Sequence, residues 1–77
     1  MRLDDLKAGQ SGTIESVGGE GPMRLRLLDM GLIPGTRVLL QRTAPTGDPL
    51  ELFLRGYSLT LRREDARNIT LRREVRP

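Results

Sequence analysis

Leu50-Glu51-Leu52-Phe53-Leu54-Arg55-Gly56-Tyr57-Ser58-Leu59-Thr60-Leu61-Arg62 holds the key to the fold. Leu50, Leu52 and Leu54 alternate with Glu51, Phe53 and Arg55. Beyond Gly56, Tyr57, Leu59 and Leu61 alternate with Ser58, Thr60 and Arg62. A period of two puts successive side chains on opposite faces, so each run reads as a half-buried strand. Gly56 is the one breaker between the runs and marks a tight turn between antiparallel strands.

The same pattern recurs on both sides of this hairpin. Thr13 to Val17 is branched and alternating, and the glycines at 18, 19 and 21 end it. Arg37 to Arg42 sets Val38 and Leu40 against Arg37, Leu39 and Gln41. Ile69 to Arg73 sets Ile69 and Leu71 against Thr70 and Arg72. Five strands result, each with an apolar side. Ile14, Leu40, Leu52, Leu59, Leu61 and Ile69 lie on those sides and are expected to be buried together. Leu39 and Phe53 lie on the mostly polar sides, where they are expected to meet on the outer face and extend the core.

Pro22 to Met30 breaks the pattern and predicts a helix of about two turns. Pro22 suits the first helical position, where its missing N–H costs nothing. Gly31 suits the left-handed residue just past the end. Pro34 and Gly35 then turn the chain into the next strand. Ala44-Pro45-Thr46-Gly47-Asp48-Pro49 reads as a loop between antiparallel strands, and Arg63 to Arg67 as a single helical turn. The expected fold is mainly β: a small, five-stranded, partly open barrel with one short α-helix plugging an end or lying across a mouth. No internal repeat or linker interrupts it, so residues 1–77 read as one domain.

Composition excludes much. The chain has no cysteine and no histidine. That removes a disulfide framework, a thiolate nucleophile, the commonest general base and the commonest transition-metal ligand. No enzyme can be assembled from what is left. Asp4 and Asp5, and Glu64 and Asp65, are adjacent pairs. No spacing among the acids resembles a calcium loop, so no metal site and no cofactor are expected. The start has no signal-peptide pattern, and no apolar run approaches the roughly 20 residues that span a bilayer. A cytoplasmic protein is the expectation, without direct membrane insertion. Net charge is +3, with twelve arginines and one lysine, but the ten acids are interspersed with them. Two aromatic residues, Phe53 and Tyr57, make a poor stacking platform, so nucleic acid is not the expected partner.

Three stretches resemble one known family. They are Leu27-Leu28-Asp29-Met30-Gly31-Leu32-Ile33-Pro34-Gly35-Thr36-Arg37-Val38, Ala44-Pro45-Thr46-Gly47-Asp48-Pro49-Leu50, and Arg55-Gly56-Tyr57-Ser58-Leu59-Thr60-Leu61-Arg62-Arg63-Glu64-Asp65-Ala66. In this order, with Leu3-Asp4-Asp5-Leu6-Lys7-Ala8-Gly9-Gln10 ahead of them, they look like FeoA, the small cytoplasmic accessory protein of bacterial ferrous iron transport. The resemblance covers nearly the whole chain. It implies an SH3-like barrel, no catalytic activity, and one partner: the membrane transporter FeoB, met through its cytoplasmic G-protein part. It implies recruitment to the inner face of the membrane by that partner. The same barrel also ends some iron-dependent transcription regulators. A relative of that domain, or a small nucleic-acid-binding barrel, is therefore the alternative.

The motif residues Gly31, Pro34, Gly35, Gly47, Asp48, Pro49 and Gly56 are turn formers first. They define the fold without locating a binding surface. The helix is more informative. At 100° per residue, Met23, Leu27 and Met30 fall on one side, and Leu25, Leu28 and Leu32 on the other. A short helix on a small barrel buries one side. The Leu25, Leu28 and Leu32 strip is then left for a partner or a second copy of the chain, with Arg24 and Arg26 at its rim. Arg24, Arg26 and Arg55 are also the arginines nearest the motifs. They are the candidates for reaching a partner's nucleotide site.

Overall fold

A computed structural model describes residues 1–73. Five strands form a single antiparallel sheet: β1 (Ser11–Val17), β2 (Arg37–Thr43), β3 (Leu50–Leu54), β4 (Tyr57–Leu61) and β5 (Ile69–Arg73). Their order is β4-β3-β2-β1-β5. The sheet curls around one core as a partly open, SH3-like barrel. Helix α1 (Gly21–Asp29) connects β1 to β2, and the short helix α2 (Arg63–Ala66) connects β4 to β5. A 3-10 turn, Leu3–Asp5, precedes β1.

The β3–β4 hairpin is built as its alternation requires. Leu50 faces Leu61, Leu52 faces Leu59 and Leu54 faces Tyr57. Arg55 is not the last residue of a strand. It joins Gly56 in a two-residue turn, with φ of 49° and 84°. Positive φ at both positions gives the local twist that matches the twist of the flanking strands.

Two bulges re-aim side chains. In β1 the register against β5 shifts between Ile14 and Ser16. Strict alternation would put Ile14 and Val17 on opposite faces, yet both are buried. The extra residue of the bulge absorbs the difference and lets both face inward. A second shift between Leu40 and Arg42 bends β2 against β3.

Leu3, Ile14, Leu27, Leu32, Val38, Leu40, Leu50, Leu52, Leu54, Ile69 and Leu71 are the largest fully buried side chains, and Leu61 is 3% exposed. The expectation for Leu59 needs correction, since it is only partly buried against this core. The reason is position: β4 is an edge strand, so one side of Leu59 has no neighbouring strand to cover it. Leu39 and Phe53 do meet, as direct cross-strand partners. They do not extend the core, however: Leu39 is half-buried and Phe53 is 37% exposed.

The N-terminal segment guards the other edge. The Leu71 N–H donates to the Met1 carbonyl at 2.6 Å, and Arg2 bridges Thr70. No helix of the described residues is long and apolar enough to cross a membrane.

Candidate functional site

Helix α1 ends in a way its sequence dictates. Met30 is the cap residue, and Gly31 follows with φ 98°. The Gly31 N–H donates to the Leu28 carbonyl at 3.0 Å, and the Leu32 N–H to the Leu27 carbonyl at 3.2 Å. This is the Schellman pattern, in which a left-handed residue lets two amides satisfy carbonyls that the helix leaves open. The reversal swings Leu32 under the helix, beside the buried Leu27.

That geometry corrects the expected strip. Leu32 lies past the helix end and is fully buried, so it belongs to the core and not to an exposed face. Helical periodicity cannot be carried across a left-handed residue. Leu28 is half-buried and packs on the core, as Met23 and Met30 do. Leu25 alone of the three stands out, at 60% exposure.

Arginines flank Leu25, and each has a partner. Arg24 Nε donates to the Val17 carbonyl at 3.0 Å, fastening the helix to the end of β1. Arg26 reaches Asp65 of α2 at 3.4 Å. Arg26 and Met30 form one wall of an open cleft of ≈640 Å³, whose other walls come from Asp48 and Pro49, the end of β4, and α2. The helix face therefore continues into a concave, mixed-charge surface. Arg55 sits in the β3–β4 turn and donates to the Thr36 hydroxyl at 2.9 Å.

The turn residues sit where turns are needed. Gly31, Gly35, Gly47 and Gly56 all have positive φ. Asp48 accepts a hydrogen bond from the Arg63 N–H at 3.0 Å, and the Pro49 carbonyl accepts one from the Ala44 N–H at 3.1 Å. Pro34 and Gly35 lead from the helix end to Thr36, whose carbonyl accepts from the Ile14 N–H at 2.8 Å.

Two residues escaped the sequence reading. The Tyr57 hydroxyl donates to the Met30 carbonyl at 2.5 Å, locking β4 to the cap of α1. Arg63 donates through Nε to the Gly47 carbonyl at 3.0 Å and through a second nitrogen to the Asp4 carbonyl at 2.9 Å. Neither contact has a signature in spacing, because each spans a long sequence separation.

The acids do not converge. Asp4 is paired with Arg2, 3.1 Å away, and Asp5 accepts from the Arg2 N–H at 2.8 Å. Among the described residues, no three acids come together as metal ligands. Glu51 raises the pKa of Arg42, first through a hydrogen bond and then through its charge. This exposed pair links β2 to β3.

Residues 1–73 match the family model described as the FeoA domain. A fusion protein of Fe(2+) transport protein A and Fe(2+) transporter FeoB from Porphyromonas gingivalis is 39% identical over 69 residues. That match takes in 90% of this chain but only 8% of the fusion protein. The solution structure of FeoA from Chlorobium tepidum is 44% identical with a TM-score of 0.84, over 92% of this chain and 68% of that one. The FeoA of Stenotrophomonas maltophilia, crystallised with zinc and described as a prokaryotic SH3 domain protein, aligns over 94% of this chain and 89% of its own. Its identity is 25% and its TM-score 0.82. With its family model, its relatives and its barrel in agreement, the chain belongs to the FeoA family.

Proposed function

We propose that this chain is a non-enzymatic accessory protein of ferrous iron transport that docks on the cytoplasmic G-protein part of a FeoB-type transporter. The observation that carries this reading is the fusion relative. There a domain like this one shares a single polypeptide with the transporter FeoB. Fusion holds two partners at a high effective concentration, which is useful when they act together.

The docking surface in this reading is the exposed face of α1. Leu25 is its apolar contact, with Arg24 and Arg26 at the rim and the adjoining cleft beside it. Bound there, the chain works in the cytoplasm at the inner face of the membrane and adjusts transport or the nucleotide cycle. Its own residues supply shape and charge to the partner, and no reaction step of their own.

Co-purification with the isolated cytoplasmic domain of the transporter tests the reading, with and without a GTP analogue. Retention of the wild-type chain, reduced by Leu25→Glu, is the expected result. Failure of the wild-type chain to be retained in either nucleotide state would refute it.

A further inference from the structure

The outer face of the sheet carries an apolar pair that the core does not use. Leu39 of β2 and Phe53 of β3 lie directly opposite one another. With Ser11, Arg37, Leu54 and Arg55 they line a shallow depression of ≈310 Å³. Leu54 beneath is fully buried, so the floor is held by the core itself.

Arg55 stands at the rim in an unusual place. It is the first residue of the hairpin turn, with φ 49°. That position favours Asn, Asp and Gly, because other side chains crowd the left-handed backbone. Its guanidinium donates to the Thr36 hydroxyl, a neutral partner, and among the described residues no carboxylate pairs with it. Arg37 donates to the Ser11 hydroxyl on the same rim. Among the described residues that line the depression, none is a carboxylate.

We propose that Leu39, Phe53 and Arg55 form a docking patch for an acidic segment of a partner protein that presents an apolar side chain. The apolar group covers the Leu39–Phe53 pair, and a flanking carboxylate meets Arg55, where a planar guanidinium can accept it in bidentate fashion. Charge complementarity selects this occupant. A second copy of the chain is disfavoured, because a two-fold axis through the patch would set arginine against arginine. A nucleic-acid strand is disfavoured as well, since a single ring makes a poor stacking groove. The patch is separate from the helix face and stands independently of which protein supplies the segment.

An NMR titration tests it. The probe is a peptide with three glutamates on each side of a Leu-Phe-Leu centre. Saturable shifts are expected in the amides of residues 37–41 and 53–56, with binding about tenfold weaker in Arg55→Asn and in Phe53→Thr. Asn suits the left-handed position and Thr suits an exposed strand position, so both variants should fold; if one does not, the other decides. The proposal is overturned if the peptide leaves those amides unmoved, or if a folded variant binds like the wild type. Equal binding of a lysine-flanked peptide overturns it too. So does a single-stranded oligonucleotide that shifts the same amides more strongly.

Discussion

The Tyr57 hydroxyl donates its hydrogen bond to the Met30 carbonyl at 2.5 Å, tying the first residue of β4 to the cap of α1. Gly31 makes room for it: a Cβ at this position would overlap the Tyr57 hydroxyl. Removing the hydroxyl with Tyr57→Phe should cost about 0.5–1.5 kcal/mol, the net worth of one such bond. Gly31→Ala should cost more, about 1–3 kcal/mol from the left-handed backbone alone before the overlap is counted. Thermal melting of the two variants checks the order. A Gly31→Ala protein as stable as Tyr57→Phe would contradict it.

The three leucines expected on one strip should separate cleanly by burial. Leu25→Glu should change stability by less than about 0.5 kcal/mol, as surface substitutions usually do. Leu28→Glu should destabilise, because the half-buried side chain rests on the core. Leu32→Ala should cost about 2–5 kcal/mol as a fully buried leucine. Chemical denaturation of the set measures all three. A Leu32→Ala protein with wild-type stability would remove Leu32 from the core.

Arg63 fastens two segments at once through the Gly47 and Asp4 carbonyls. Arg63→Met should therefore loosen both the 44–49 loop and the 3-10 turn, at a cost of about 1–3 kcal/mol for hydrogen bonds to a charged group. Arg63→Lys should rescue little, since one ammonium on a flexible stem does not reproduce a planar fork. Amide hydrogen exchange in residues 3–6 and 44–49 reads the effect directly. Faster exchange in only one of the two segments would show that the clamp is not shared.

Ferrous iron should leave the melting temperature of the isolated chain unchanged. A ligand specific to the folded state would raise it with concentration. The acids that might serve are engaged elsewhere: Asp4 with Arg2, and Asp65 with Arg26. A saturable rise at micromolar iron would contradict the expectation.

Much of the architecture was legible locally. The period-two runs around Gly56 and the apolar positions of β2, β3 and β5 needed only neighbouring residues to be read. So did the helix stop at Gly31. The candidate surface was less legible. Helical spacing singles out Leu25, which is the exposed member of its strip, whereas Arg24 and Arg26 follow only from their place beside it and near the motifs. Leu32 was misplaced because a helical wheel assumes that the helix continues. Alternation places Leu39 and Phe53 on the outer face, where they do meet, but it does not show that nothing covers them there, so their exposure differs from the expected extension of the core.

The sequence by itself determined the strand pattern, the short helix with its glycine stop, and the turn motifs that carry the family resemblance. These follow from backbone preferences and from alternation along the chain, which are properties of adjacent residues. Only the tertiary structure decided how far Leu59, Leu28 and Leu32 are covered, where the β1 bulge redirects Val17, and what Tyr57 and Arg63 hold together. Burial depends on which elements lie on top of a side chain. Tyr57 and Met30, or Arg63 and Asp4, meet only after the barrel has closed, across 27 and 59 positions of sequence. Contacts of that range leave no periodic trace in the chain, because their geometry is set by the packing of the whole fold.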